Sequence, residues 1–263
     1  MKWPSPPGSR PDPEHEAEAE IPFHIADDGG LRHTWELTPR QAIQLQRRLA
    51  SAVETQDRLG EGLADVGAVT LVAGVDAGFE EGGSITRAAA VALSLPGLET
   101  LAEAVVRRPT SFPYVPGLLS FRELPAVLDA LAELETKLQA NGHGAPQVLF
   151  TDAHGLAHPR RLGLACHLGL WLDRPAVGVA KTRLTGSYDE PPPEQGAWSP
   201  LVDPKTEERL GAVLRTRSRV KPVFVSIGHR LSLKSALQLT LAITPRYRLP
   251  ETTRRSDKLA SRR

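Results

Sequence analysis

The 263-residue chain can form one large domain or two small ones, and its 40% apolar residues are enough to fill a sizeable core. The single cysteine, Cys166, excludes an intrachain disulfide and a zinc site of the CxxC type. The formal net charge of +1 favours no class of partner, and no apolar run reaches the roughly 18–20 residues that a membrane span needs. Since the first residues also lack the apolar stretch of a secretory signal, we expect a cytoplasmic protein.

The two ends of the chain differ in charge. Residues 11–20 carry five acids and no lysine or arginine, within a proline-rich stretch. This composition predicts a disordered acidic arm over residues 1–30, followed by one folded domain over residues 31–263. From residue 245 onward, seven basic residues against two acids give a local charge of +5. Such a run fits either a solvated surface or a patch that attracts phosphate.

The first predicted elements are a helix and a meander of strands. Thr38 and Pro39 have the residue types of an N-cap and a first helical position. Three apolar runs follow at 68–75, 85–95 and 101–106, and the short turns between them predict three antiparallel strands.

Helices and short strands alternate after the meander. We predict helices over residues 120–139, 160–173 and 232–243, a loop over 188–200, and strands over 148–151, 176–180, 210–217 and 223–227. This order predicts an α/β fold in which an antiparallel three-strand meander is continued by parallel strands, forming a mixed sheet flanked by helices.

Two aspartates follow apolar strands, and each taken alone is most simply a turn residue. Asp76 follows the run 68–75, and Asp152 follows the run 148–151. If these strands are parallel neighbours, the two carboxylates lie roughly 5 Å apart. At that distance they repel each other unless a cation lies between them, and hard oxygen ligands suit Mg²⁺ or Mn²⁺.

Glu123 has two interpretations. The spacing of Ser120 and Glu123 matches a capping box, in which the glutamate reaches back to the start of the helix. Alternatively, Glu123 points from the first helical turn towards the same cation as the two aspartates.

Several basic side chains follow or precede these strands. Lys181 is either solvated or an electrophile beside a phosphate, and His229 is either structural or a group that moves a proton. His154 and His158 have half the spacing of a zinc site, which Cys166 would have to help complete. The favoured interpretation of the segment from His158 to Arg161 is a basic helix start that binds phosphate.

The loop Pro113–Pro116 is stiffened by proline at both ends and holds Tyr114 and Val115 between them. It is either a packed loop or a wedge that enters a stack of bases and fills the gap left by an extruded nucleotide.

Seven segments in this order resemble the endonuclease V family, over about residues 38–260. The segments are GVDAGF (74–79), PYVPGLLSFRE (113–123), TDAHGLAHPRRLGLACHLG (151–169), VGVAKTRL (177–184), GAVLRTR (211–217), PVFVSIGHRLSL (222–233) and YRLPETTR (247–254).

The resemblance implies a ribonuclease-H-like fold in a single catalytic domain over residues 31–263. It also implies an Mg²⁺-dependent DNA repair enzyme that recognises deoxyinosine and hydrolyses the second phosphodiester bond 3′ to it, leaving 3′-hydroxyl and 5′-phosphate ends. The partner is then DNA with deaminated bases, and we expect a monomer. Alternatives are an endoribonuclease specific for inosine, and a damaged-nucleic-acid binder without catalytic activity.

The same resemblance assigns residues by motif. The catalytic set is Asp76, Glu123, Asp152, Lys181 and His229, of which Asp76, Glu123 and Asp152 are the metal ligands. The wedge is Pro113, Tyr114, Val115 and Pro116. The pocket for the extruded base is Gly117, Leu119, Ala153, Gly163 and Leu164, where Ala153 replaces the family's usual glycine and puts the range of lesions in question.

Overall fold

A computed structural model of the protein describes residues 21–59 and 65–261. The first twenty residues of the predicted acidic arm lie outside the described residues. Residues 21–30 are ordered, so the predicted arm extends too far along the chain. Strand β1 (Phe23–Ile25) pairs antiparallel with β2 (Leu31–His33), and Ile21 and Leu31 are buried. The hairpin therefore packs apolar side chains into the core.

Helix α1 (Pro39–Leu49) begins where the sequence predicts. The Thr38 side chain accepts a hydrogen bond from the Gln41 backbone N–H, and the Gln41 side chain accepts one from the backbone of Thr38. This reciprocal capping box satisfies two N–H groups that the helix cannot satisfy itself. Leu45 and Leu49 are fully buried on the inner face of the helix.

The main sheet has eight strands in the order β5-β4-β3-β6-β7-β10-β9-β8. Strands β3, β4 and β5 form the predicted antiparallel meander, and β6 and β7 continue it in parallel with β3. This is the predicted ribonuclease-H-like mixed sheet. The strand bounds are β3 (Leu71–Glu80), β4 (Ile85–Ser94), β5 (Thr100–Pro109), β6 (Val148–Thr151), β7 (Ala176–Ala180), β8 (Trp198–Val202), β9 (Arg209–Leu214) and β10 (Val223–His229).

Strand β8 was not predicted, because its residues fall at the end of the proline-rich segment interpreted as a loop. Pro200 lies within β8 and pairs with Ala212 of β9. Proline removes a ladder donor and is tolerated on an edge strand, which is where β8 lies.

Helices cover both faces of the sheet. Helices α2 (Leu119–Ala140) and α3 (Leu164–Leu172) pack on one face, while α4 (Leu233–Ala242) and α5 (Glu251–Ala260) pack on the other. Helix α3 begins four residues later than predicted, and α5 was not predicted. None of the described helices has both the length and the apolar character needed to cross a membrane.

Candidate active site

Two aspartates meet at one edge of the sheet, as the sequence predicts. Strand β6 ends at Thr151, which pairs with Val75 of the parallel strand β3. Asp152 directly follows Thr151, and Asp76 directly follows Val75. The two aspartates therefore lie side by side where β6 ends. Asp76 lies inside β3 rather than at its end, because β3 continues beside β4 to Glu80.

A third aspartate, Asp257 on helix α5, completes a cluster. Oxygen atoms of Asp76, Asp152 and Asp257 all lie within 4.8 Å of one another. Sequence reasoning missed Asp257 and counted it only against the basic charge of the C-terminal segment. The sequence signal that could have identified Asp257 is its position as an acid in a mostly basic, amphipathic segment.

Two glycines allow α5 to approach strand β3. Gly74, Asp76 and Gly78 alternate on the same face of the strand. A β-carbon at Gly74 would lie 2.5 Å from the Thr252 carbonyl carbon, and one at Gly78 would lie 2.9 Å from the Ala260 carbonyl oxygen. The helix backbone therefore lies directly against the strand on both sides of Asp76, and Asp257 can reach it.

The environment of the cluster favours protonated carboxyls when no cation is bound. Burial, reinforced by the charge of Asp152, raises the pKa of Asp76 to about 7. Burial also raises the pKa of Asp152, although the Lys181 ammonium opposes the shift. A divalent cation would offset the repulsion, and three carboxylates form the hard oxygen donor set that suits one.

Glu123 faces the two aspartates and does not form the capping box that the sequence allows. Helix α2 begins at Leu119 without a side-chain cap, and Ser120 bonds His167 instead. Glu123 is buried and lines a small cavity with Asp76 and Asp152. Burial and the charge of Asp76 raise its pKa to about 8. The metal-ligand interpretation of Glu123 therefore has the better support.

Lys181 lies beside the cluster, at the end of β7. Its Nζ is 2.5 Å from an Asp152 oxygen and 3.7 Å from an Asp257 oxygen. These contacts raise the pKa of Lys181 against the effect of burial. The ammonium therefore stays charged where a phosphate could approach the aspartates.

His229 lies at the end of the strands opposite the aspartates, so the structure does not bring it together with the other residues of the predicted catalytic set. Strand β10 is antiparallel to β7, and His229 pairs with Ala176, the first residue of β7. Lys181 follows the last residue of that strand. His229 is buried, accepts a hydrogen bond from the Glu54 backbone N–H and lies 3.5 Å from Asp173.

The other histidines do not form the zinc site that the spacing of His154 and His158 allows. His154 Nε2 donates to the Thr182 carbonyl and His158 Nε2 donates to the Gly117 carbonyl. Cys166 is buried and bonds Ile227. Among the residues that the structure describes, the one candidate metal cluster is the aspartate cluster, so nothing supports the zinc interpretation.

The basic residues after His158 do not form a helix start. Arg161 has a positive φ of 58° and pairs with Asp203 and Glu208. Arg160 donates to the Gly117 carbonyl at 2.8 Å. Both arginines contact loops rather than the first turn of a helix, so the predicted helix start is wrong.

The proline-flanked loop borders a cavity of about 450 Å³ beside the cluster. Tyr114 is 72% exposed at its mouth, where Leu119 and Leu184 are also exposed. The sequence did not single out Leu184. The cavity wall includes all five predicted pocket residues, Gly117, Leu119, Ala153, Gly163 and Leu164, three loop residues, Tyr114, Val115 and Pro116, and both Asp152 and Lys181.

The Gly117 carbonyl fixes the loop to the cavity wall. It accepts hydrogen bonds from Gln46 Nε2 at 3.0 Å, His158 Nε2 at 3.1 Å and Arg160 Nη2 at 2.8 Å. Gly117 also has a φ of +80°, where a side chain would be strained and would meet Arg160. Gln46, another residue that the sequence did not single out, thereby ties α1 to the cavity.

Comparison with known proteins gives one consistent result. The family model described as endonuclease V matches residues 47–258. The chain is 53% identical over 229 residues to endonuclease V of Azotobacter vinelandii, an alignment that covers 87% of this chain and 96% of that one. It is 49% identical over 229 residues to endonuclease V of Nostoc punctiforme, with 87% and 96% covered.

Solved structures agree. The crystal structure of endonuclease V from Streptomyces avermitilis has a TM-score of 0.76 and 42% identity, covering 86% of this chain and 92% of that one. Endonuclease V of Ciona intestinalis, solved in complex with a 24mer DNA containing an inosine followed by a ribo-adenosine, has a TM-score of 0.70 and 26% identity, covering 82% and 93%.

Proposed function

Because the chain belongs to the endonuclease V family, we propose that this nuclease is a DNA repair enzyme that requires Mg²⁺ and recognises deoxyinosine. It hydrolyses the second phosphodiester bond 3′ to the lesion and leaves 3′-hydroxyl and 5′-phosphate ends. The observation that carries the proposal is that Asp152 of the aspartate cluster and the neighbouring Lys181 both line one cavity, which is sized for a small ligand.

Recognition begins with extrusion of the damaged base. Extrusion costs a few kcal/mol and costs least for a mispaired base, so a mispaired inosine is favoured before any contact forms. Tyr114 is the wedge tip, since it is exposed between two prolines at the cavity mouth. The apolar side chains of Leu119 and Leu184 cover the faces of a base that enters the cavity.

The aspartate cluster is the metal site. Asp76, Asp152 and Asp257 would hold the cation directly, and Glu123 would complete its shell from the opposite face of the sheet, directly or through water. Mg²⁺, for which Mn²⁺ can substitute, would polarise the scissile phosphate and lower the pKa of the attacking water.

Lys181 supports the same step from the cavity side. With the cation bound to the aspartates, its ammonium is available to the phosphate oxygens and offsets the negative charge that develops there. Its position between the cavity and the cluster supports a role at the phosphate rather than at the base. The rigid Gly117 segment keeps the wedge and the cavity wall at a fixed distance from this charge.

Cleavage of a defined substrate tests the proposal. An end-labelled duplex with a single deoxyinosine is incubated with the full chain in Mg²⁺, in Mn²⁺ or in EDTA, and the nick is mapped to one nucleotide. We expect a metal-dependent nick at the second bond 3′ to the inosine. A nick elsewhere, or the same yield in EDTA, contradicts the proposal.

RNA is the second candidate substrate, favoured by the ribo-adenosine that follows inosine in the Ciona intestinalis complex. The matching RNA strand with a single inosine is cleaved in parallel. A higher kcat/KM on RNA than on DNA would assign the endoribonuclease activity instead.

A further inference from the structure

A line of three buried polar side chains connects the N-terminal hairpin to the base cavity. Ser120 Oγ lies 3.0 Å from His167 Nδ1, and His167 Nε2 lies 2.7 Å from His33 Nε2. His33 Nδ1 lies 2.7 Å from the Thr34 carbonyl oxygen. We call Ser120, His167 and His33 the relay. His33 precedes the residues that the family model matches.

The carbonyl at one end of the relay sets the direction of every hydrogen bond in it. The Thr34 oxygen can only accept, so His33 Nδ1 carries the proton and His33 Nε2 has a lone pair. His167 Nε2 must then donate to His33, which leaves a lone pair on His167 Nδ1. The contact between the two Nε2 atoms needs a lone pair on one of them, and burial lowers the pKa of both histidines, which favours the neutral rings.

The direction of these hydrogen bonds determines where the hydroxyl proton of Ser120 lies. The hydroxyl donates inward to His167 Nδ1, and its oxygen keeps only lone pairs for any other partner. Ser120 is only 2% exposed, and it is part of the cavity wall in the first turn of α2, next to Leu119. A serine hydroxyl that is free to rotate can donate or accept, whereas this one can only accept.

We propose that Ser120 is a specificity-determining residue whose oxygen accepts a hydrogen bond from the ring N–H of a lactam base, and that His167 and His33 are positioning residues that keep it an acceptor. The proposal rests on the proposed function and names the chemical group that the cavity reads. Hypoxanthine carries an N–H at ring position 1, where adenine carries a lone pair. When adenine enters, the lone pair at its ring position 1 faces a lone pair of the Ser120 oxygen, and the two repel each other. The relay therefore discriminates against the undamaged base.

Measurements of strand binding test the role of Ser120 and the role of the two histidines separately. Two single strands that differ only in one inosine or adenosine compete for the full chain in EDTA, and Kd is measured by fluorescence anisotropy. We expect Ser120→Ala to lower the preference for inosine about tenfold, through weaker binding of the inosine strand, because one hydrogen bond is lost.

His33→Phe tests the direction of the relay. Its ring centroid lies 4.7 Å from that of Trp35 and 5.1 Å from that of Trp171, and phenylalanine keeps these ring contacts. His167 then loses the acceptor that fixes its tautomer, so the Ser120 hydroxyl can turn and donate. We expect the preference to fall through tighter binding of the adenosine strand, with the inosine strand little changed. His33→Gln, which restores an acceptor, should recover part of the preference.

Cys166→Ala is the matched control, because Cys166 is buried beside His167 in α3 but bonds Ile227 rather than the relay. It should lower thermal stability and leave the preference unchanged. Ser120→Ala or His33→Phe variants that weaken both strands equally would assign the relay a structural role and overturn the inference. A wild-type chain without any preference for inosine would instead overturn the proposed function.

Discussion

The Asp257 carboxylate lies within 4.8 Å of the Asp76 carboxylate because helix α5 packs its backbone directly against strand β3 at Gly74. The two residues are far apart in the sequence, at positions 76 and 257. The geometry of the aspartate cluster therefore depends as much on how closely a helix approaches a strand as on the pairing of strands.

Each of the three aspartates should be required for cleavage. We expect Asp76→Ala, Asp152→Ala and Asp257→Ala to reduce kcat by at least about a thousandfold, since they remove ligands whose cation stabilises several kcal/mol of transition-state charge. Binding of an inosine strand in EDTA should persist, because the cavity remains. Asp129→Asn, an exposed acid paired with Arg108, is the control. Full activity of Asp257→Ala would remove it from the site.

Gly74→Ala should separate the aspartates without removing any of them. The added methyl group would overlap Thr252 at 2.5 Å, so α5 must move away from β3. We expect weaker Mg²⁺ binding by calorimetry and a lower kcat, with loss of roughly 1–3 kcal/mol of stability from overpacking. Gly144→Ala, where a β-carbon meets nothing within 4 Å, should leave Mg²⁺ binding, kcat and stability unchanged. Normal metal affinity in Gly74→Ala would contradict the packing argument.

The pH dependence of stability should have an unusual sign in metal-free protein. The pKa is about 7 for Asp76 and about 8 for Glu123, whereas both are near 4 in an unfolded chain. Between these values the two carboxyl groups hold more protons in the folded state than in the unfolded state, so their contribution to the free energy of unfolding falls as pH rises.

Calorimetric melting checks this. We expect the Tm in EDTA to fall between about pH 7 and pH 8, above the range in which the buried histidines take up protons on unfolding, and Mg²⁺ to raise it most at the alkaline end, where the cation no longer competes with protons. Asp76→Asn should flatten part of the slope. A Tm in EDTA that rises between about pH 7 and pH 8 would exclude the raised pKa values.

Tyr114→Ala should weaken recognition more than catalysis. Without the ring at the cavity mouth, the stack vacated by the base stays unfilled, so we expect a loss of about 1–3 kcal/mol of binding per base contact. KM on an inosine duplex should rise at least tenfold with Mg²⁺ affinity unchanged. Trp198→Ala, an exposed aromatic on the far edge strand β8, is the control. Unchanged selectivity between inosine and adenine duplexes would argue against a wedge.

His229→Leu should affect stability and leave the chemical step intact. The ring is buried against Glu54 and Asp173, so its loss leaves polar groups without partners and costs about 1–3 kcal/mol. We expect a lower Tm and a normal kcat per folded molecule at 20 °C below the melting point. A stable variant with a thousandfold lower kcat would return His229 to the catalytic set.

The pairing of Asp76 with Asp152 was predictable from sequence because it depends on two short apolar strands and a helical crossover, which fix a parallel neighbour. The position of His229 could not be predicted, for a physical reason. A buried apolar run identifies a strand but not its direction, and β10 runs antiparallel to β7. Asp257 could not be placed either, because its position depends on the packing of α5 against two glycines. The hydrophobic pattern alone does not specify that contact.

The position of Asp257 near the end of the chain has a consequence for synthesis. A ribosome that stops before residue 257 releases a product with the base cavity, Tyr114 and two of the three acids. Such a truncated product lacks a complete centre for cutting. A copy that lacks Asp257 should therefore be harmless to the strand that it touches.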